Sequence, residues 1–388
     1  MKLKKTYFVI VLVVFSLFGC DYPDLTTGED EAIATGSEIN DEDAVRIGYF
    51  HGGRVNMIYR AHINGFFDEE GLNVKLYTRN IEDTELFVVP KSHEEVKRIS
   101  IGNFFGKIRG TEIINFMLDG ELDGGTIGES SFIQKINEGA PIVAVALLGY
   151  ESVPGKGIVM RKGIEINSVE DFKGLTLASR RAGPGDTIYF REFLEDVGLK
   201  SEDLNIIEAY GDDSKNWLAE KKEDKVNILH QINEGDLRGW LIEGKIDGGL
   251  YHLTSVRKVA HEGYLYRPMD WMDSAISHAV LVFNQDYVKN HPEEVQKVVD
   301  AYAKIIKYEK DLPESEKDKS WDKGLFMAST FQGLQVPQYD FPPKVRMDLL
   351  NEVQDLLIKY GYIDEKIDIG DFVDNSFVEA VHKELESR

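Results

Sequence analysis

Apolar positions come in two rhythms along this chain. Val45-Arg46-Ile47-Gly48-Tyr49-Phe50 alternates at period two and reads as a first strand. Val55 to Asn64 carries apolar residues at helical spacing and stops at Gly65. Gly71 to Tyr77 reads as a second strand, and 111–119 as a helix. Ala140 to Leu148 is almost continuously apolar, which suits a strand covered on both faces. Further strands are expected at 157–161, 175–179, 205–207 and 279–283, with helices at 187–197, 237–242, 292–309, 344–360 and 377–385. Ser168 with Asp171 three residues on predicts a capped short helix. Residues 80–110 are mixed and are expected to contain a long surface loop or an insertion, and 311–343, with Pro313, Pro337, Pro342 and Pro343, reads as loop. Strands and helices that alternate throughout argue for an α/β chain with parallel sheets.

One phrase occurs twice: Gly120-Glu121-Leu122-Asp123-Gly124-Gly125 and Gly244-Lys245-Ile246-Asp247-Gly248-Gly249. Each follows a helical run and precedes a short apolar or Gly-rich one. A Gly just past a helix takes the left-handed conformation that ends it. Two readings stand, a pair of similar α/β units or the ordinary grammar of helix–Gly–strand turns.

The N-terminus changes the picture from architecture to location. Lys2, Lys4 and Lys5 precede an uncharged run, Tyr7 to Phe18, too short to span a bilayer and matched to a secretory h-region. It ends in Leu17-Phe18-Gly19-Cys20, which resembles the lipobox of bacterial lipoproteins, where the Cys carries the lipid. Cys20 is the only cysteine of 388 residues. Asp21 to Asp43 is polar, acidic and nearly free of large apolar residues, and reads as a disordered tether. The formal charge is −23, and loss of Lys2, Lys4 and Lys5 takes it to about −26. That balance argues against a nucleic-acid partner. About 345 residues then remain from Ala44, too many for one ordinary core, so two domains are expected.

The order of motifs resembles the substrate-binding proteins of bacterial ABC importers for sulfonates, taurine, nitrate and the pyrimidine precursor of thiamine. The resemblance runs over about residues 45–310. It is carried by Val45-Arg46-Ile47-Gly48-Tyr49, by Asn64-Gly65-Phe66-Phe67-Asp68-Glu69-Glu70-Gly71-Leu72-Asn73-Val74, and by Leu118 to Gly128. Glu138 to Val145, Asn167 to Gly174 and His291-Pro292-Glu293-Glu294-Val295 complete it. It implies a two-lobed, type II periplasmic-binding-protein-like α/β fold: two parallel-type sheets flanked by helices, joined by a hinge. The expected division is 1–20 signal peptide with lipobox, 21–43 tether, 44–155 first part of lobe one, 156–278 lobe two, and 279–388 the return to lobe one with the C-terminal helices. The implied role is capture of a small polar solute and delivery to an ABC permease with its ATPase. The protein would be a monomer, exported and lipid-anchored at the outer face of the cell membrane or in the periplasm. A sensor with the same fold is the alternative, and an enzyme the lesser one.

Ligand contacts are expected in the loops after parallel strands. Phe50, His51 and Gly52 follow the first strand, with His51 a donor or a plain surface residue. Thr126, Gly128, Glu129 and Ser130 follow the first repeat, with Ser130 a candidate helix cap. Arg180, Arg181, Gly183, Asp186 and Thr187 form the sharpest candidate. A Gly-rich loop before a helix, with two forked guanidiniums, suits sulfonate, carboxylate or phosphate. Asp186 leaves a second reading open, either capping that helix or binding an amine or amidine. Tyr251 and His252 follow the second repeat, and Trp271 and His278 lie near the return to lobe one. Each repeat is expected to end a strand in its lobe, with Thr126–Ser130 and Leu250–His252 facing each other across the cleft. His51-Gly52-Gly53 resembles an esterase oxyanion loop, but no G-x-S-x-G elbow, H-E-x-x-H, P-loop or Cys cluster is present. No catalytic residue, metal or cofactor is therefore expected.

Overall fold

The computed structural model describes residues 43–50, 53–79, 85–91, 108, 110–151, 156–182, 184–196, 198–200, 203–210, 228–233, 241, 243–252, 265–268, 277–313 and 338–386. Residues 1–42, which hold the expected signal peptide, Cys20 and all but Asp43 of the expected tether, lie outside the described residues, as do His51, Gly52, Gly183, Trp271 and nearly all of the expected helix at 237–242. Residues 42–388 form one compact unit.

Two six-stranded sheets organise that unit. In chain order the strands are β1 (Val45–Gly48), β2 (Val74–Arg79), β3 (Leu86–Val88), β4 (Gly124–Gly128), β5 (Ile142–Glu151), β6 (Lys156–Met160), β7 (Thr176–Ala182), β8 (Asn205–Tyr210), β9 (Ile228–Asn233), β10 (Gly248–His252), β11 (Leu265–Pro268) and β12 (Ser277–Asn284). Sheet one runs β3-β2-β1-β4-β12-β5, and sheet two runs β11-β6-β10-β7-β8-β9. Read in opposite directions the two orders correspond, with β1 matching β7, β4 matching β10 and β12 matching β6. β1 is parallel to β2 and β4, as β7 is to β8 and β10.

The sheets are mixed rather than purely parallel. β12 is antiparallel to β4 and β5, and β6 is antiparallel to β10 and β11. The cause is the crossovers. The chain leaves sheet one after β5 and returns to it at β12, so each arriving strand runs against its neighbours. Ser277 and His278 already pair in sheet one, opposite Glu151 and Tyr150.

The helices are α1 (Asn56–Ile63), α2 (Phe66–Glu69), α3 (Gly110–Leu118), α4 (Glu129–Asn137), α5 (Pro184–Asp196), α6 (Gln285–Asn290), α7 (Pro292–Asp311), α8 (Met347–Lys359) and α9 (Ser376–Glu386). Ser168 and Asp171 form the expected capping box, on a 3-10 turn at Val169–Phe172. The alternation of β12 shows how sheet one is covered. Ala279, Leu281 and Phe283 pack in one apolar cluster with Ile58 of α1, Val299 and Tyr302 of α7 and Val378 of α9. Val280 and Val282 point the other way, into a second cluster with α3, α4 and α8. That second cluster also holds Leu177 of β7 and Ile188, Phe190 and Leu194 of α5, so it runs from sheet one to sheet two. Among the described residues no helix is long and apolar enough to cross a membrane.

Three local expectations are corrected. β7 runs on through Arg180 and Arg181 to Ala182, and α5 starts at Pro184, so the expected loop at 180–186 is mostly strand and first helical turn. Pro at a helix start needs no N–H and has the right φ, which favours that early start. Asp186 and Thr187 therefore sit inside α5. Second, Ser130 caps nothing. α4 starts at Glu129, its N-cap is Gly128 without a side-chain cap bond, and Ser130 is buried in the first turn. Third, the repeats begin strands rather than end them, because Gly124-Gly125 opens β4 and Gly248-Gly249 opens β10.

The repeat has a shared construction. Gly120 and Gly244 take φ of 76° and 73°, the left-handed stop after a helix. Asp123 Oδ2 accepts the Arg46 N–H at 2.8 Å, and Asp247 Oδ2 accepts the Thr176 N–H at 2.9 Å. Each carboxylate also takes a guanidinium, Arg46 Nη2 at 2.5 Å and Arg161 Nη2 at 2.8 Å. Each Asp carbonyl accepts an N–H from the strand on the other side, Asn284 at 3.0 Å and Arg161 at 2.7 Å. The Asp thus ties three strands together where β4 or β10 begins. The glycines that follow are held by close packing. A Cβ on Gly124 would meet Phe283 at 2.7 Å, and one on Gly248 would meet Met160 Sδ at 2.7 Å.

Candidate functional site

Both crossovers join the same ends of the two sheets. Residues 152–155 separate Glu151 from Lys156, and 269–276 separate Pro268 from Ser277. Five peptide steps reach at most about 18 Å, so the end of β5 and the start of β6 are held close. At those ends lie the C-terminal residues of the parallel strands. Gly128 of β4 pairs with Ala279, and His252 of β10 pairs with Lys156. Arg180 and Arg181 are near the end of β7, and Tyr251 and His252 close β10. These residues, with Asp186 and Thr187 in the first turn of α5, are placed by their backbone.

A buried polar group sits at the sheet-one end. Thr126 is fully buried, and its hydroxyl lies between β1 and β4. It accepts the Phe50 N–H at 3.2 Å and donates to the Gly48 carbonyl at 3.3 Å. Thr126 therefore holds the chain as it leaves β1, and Phe50 there remains half-buried. Glu129, the first residue of α4, is 2% exposed. Its Oε2 accepts from Arg54 Nη1 at 3.0 Å, and its Oε1 accepts from the Tyr189 hydroxyl at 2.5 Å. Arg54 lies in a 3-10 turn at Gly53–Val55, directly after the β1 loop, whereas Tyr189 belongs to α5 against sheet two. One carboxylate thus accepts from both halves of the molecule, and a carboxylate at a helix start is favoured by the helix dipole.

His278 completes the group. It is 1% exposed, and neither ring nitrogen has a hydrogen-bond partner among the described residues. Its carbonyl accepts from Arg54 Nη1 at 2.8 Å. Burial first, then the nearby guanidiniums of Arg54 and Arg346, push its pKa down to about 4 against the pull of Glu129 and Asp348. The imidazole is neutral at pH 7.

Of the expected residues, Phe50, Thr126, Gly128, Glu129 and Ser130 come together at one sheet end, joined by His278. Arg180, Arg181, Tyr251 and His252 lie at the matching end of sheet two. Arg54 and Tyr189 were missed. Arg54 stands four residues past Phe50, close enough for a wider loop reading to include it. Tyr189 sits within an apolar helical run, Ile188-Tyr189-Phe190, and nothing local separates it from core. Among the described residues no cluster of three or more His, Cys, Asp or Glu has metal-ligand geometry.

The sequence profile of the family described as "NMT1/THI5 like" matches residues 109–316, more than half of the chain. The chain belongs to the NMT1/THI5-like family. No curated protein compared with this NMT1/THI5-like chain matches it in sequence. Solved structures carry the same fold. The periplasmic aliphatic sulphonate-binding protein SsuA from Escherichia coli is similar at TM-score 0.60 and 15% identity, over 86% of this chain and 92% of that one. A putative sulfonate ABC transporter, periplasmic sulfonate-binding protein SsuA from Methylobacillus flagellatus, is similar at 0.54 and 18%, over 88% and 94%. The desulfurization enzyme DSZB is also similar, at 0.56 and 14%, over 88% and 99%. The family member described here therefore has the periplasmic-binding-protein fold expected from its motif order.

Proposed function

We propose that this protein is an extracytoplasmic solute-binding lipoprotein. It captures one small polar solute between the ends of its two sheets and passes it to an ABC import permease. The observation that carries the reading is the Arg54–Glu129–Tyr189 group, a buried polar contact shared by both halves beside the two crossovers. A solute contacting both halves would stabilise the closed arrangement by its differential contacts. Phe50, Thr126, Gly128, Glu129 and Ser130 supply the sheet-one wall, and His51 and Gly52, outside the described residues, stay candidate contacts by sequence alone. Arg180, Arg181, Asp186, Thr187, Tyr251 and His252 supply the sheet-two wall, and Gly183, outside the described residues, stays a candidate contact by sequence alone. Family membership and the sulfonate-binding likenesses support this role, and Lys2 to Cys20 supports export with a lipid on Cys20.

The likeness to DSZB favours one other reading, an enzyme acting on a small metabolite, and the same experiment separates the two. The full-length protein is heated with sulfonates, nitrate, carboxylates and pyrimidines in turn. A solute at a hundred times its dissociation constant adds about 2.7 kcal/mol. One chemical class is expected to raise the midpoint by about 4 °C. Arg180→Ala or Arg181→Ala reduces that shift if the solute is an anion. Stabilisation by no member of the panel, or chemical turnover of one, overturns the binding reading.

A further inference from the structure

Helix α8 follows the family-matched span and lies against both sheets' helices. Its buried side chains Leu350, Val353 and Leu357 belong to the apolar cluster that also holds α4 and α5. Thirteen residues make it about 20 Å long. Its two ends reach different places. At the start, Arg346 and Asp348 lie near His278, where the chain returns to sheet one. At the far end, Lys359 Nζ lies 2.6 Å from Glu192 and 2.8 Å from Glu195, both on α5. The next residue, Tyr360, donates its hydroxyl to Glu192 Oε2 at 2.8 Å. The Arg191 guanidinium lies 5.8 Å from the centre of the Tyr360 ring.

These contacts fall on one helix. Tyr189, Glu192 and Glu195 recur every three residues along α5, so they share a face. Tyr189 meets α4 through Glu129, whereas Glu192 and Glu195 meet the end of α8. The sheet-two helix is therefore gripped at two places by sheet-one elements, and neither grip involves a crossover. A hinge alone leaves two lobes free to swing, and inter-lobe motion is the default where the interface is small and polar. Here an apolar seam continues beneath the polar contacts.

We infer that α8 with Lys359 and Tyr360 is a strap across the seam. It holds the two sheets in one resting arrangement, and the Tyr189–Glu129 bond is its second fastening. Opening then requires both fastenings to release.

The test measures the resting arrangement directly and uses no solute, so its outcome is separate from the reading of the site. Spin labels are placed at Asp119→Cys and Lys162→Cys in a full-length Cys20→Ser background. Both positions are exposed and lie at the sheet ends remote from the crossovers, where opening moves them most. The pulsed-EPR distance distribution is compared with that of the same protein carrying Tyr189→Phe, Lys359→Ala and Tyr360→Phe. One narrow population is expected with the strap intact. The triple variant is expected to shift or broaden it by several Å with unchanged circular dichroism. Tyr189→Phe alone, which removes only a hydroxyl, is expected to give a smaller change of the same kind and serves as the readout if the triple variant does not fold. Identical distributions in the parent and the folded variants overturn the strap.

Discussion

Glu129 shows how little of a site's chemistry is local. Its position after a Gly-rich strand marked it as a candidate, yet its role depends on Arg54, 75 residues away, and Tyr189, 60 residues away. His278 is a second case. It sits one residue inside β12, where burial denies its ring a charge. A prediction follows from that burial. The unfolded chain takes up a proton near the ordinary pKa of 6.5, whereas the folded protein resists it down to about 4. The unfolded state thus holds more protons in this window, so stability is full above pH 6.5 and falls as the pH drops toward 4. One group gives a slope of about 1.4 kcal/mol per pH unit. His62, buried with its pKa also lowered to about 4, adds its own. Urea unfolding of His278→Gln between pH 7 and 4.5 should show a slope smaller by about one proton. A slope equal to that of the parent would show that His278 protonates freely in the fold.

The duplicated phrase is the clearest message at the scale of elements. The two copies build the same joint in two sheets: a left-handed Gly, an Asp bonding the neighbouring strand, then glycines under a bulky side chain. The Asp in sheet one is the more buried, with its side chain 9% exposed against 21% for Asp247. Asp123→Ala leaves the Arg46 backbone N–H without its acceptor and the guanidinium with the Gly120 carbonyl but no carboxylate, and should cost about 3 kcal/mol. Asp247→Ala, in a more solvated pair, should cost about 1 kcal/mol. Equal shifts of the urea midpoints would refute this ranking. Strands and long helices were legible because β12 is a short unbroken apolar run, as a strand covered on both faces is, and α7 and α8 carry a clean period of 3.6. The order of the motifs made the fold class legible as well. The end of β7 was not legible. Arg180 and Arg181 look like loop because charge is rare in strands, and only pairing with β8 shows otherwise. β3, β9 and β11 were missed, β3 inside the stretch 80–110 read as loop or insertion, and the antiparallel sense of β6 and β12 follows from the crossovers, which no local pattern records. The candidate site was half legible. Backbone loops after strands could be read from motif order, but the Tyr189 contact arises from packing between distant helices.

For the whole molecule, the two sheets correspond strand for strand around their parallel centres, and their crossovers meet at one shared pair of ends. That arrangement makes the site a property of both halves together, with Glu129 as the group that touches each. The acidic balance of −23 gives no long-range pull on an anion, so recognition of one would rest on local groups such as Arg180 and Arg181. The central claim is that these ends hold one small solute. Native mass spectrometry of the full-length protein, purified without dialysis from cells that export it, tests this most directly. The account predicts a bound mass of a few hundred daltons at most, one per chain, lost on denaturation and reduced in Arg54→Ala and Tyr189→Phe. Protein that emerges with no bound mass from every growth medium, and gains none when incubated with the solute panel, would contradict it.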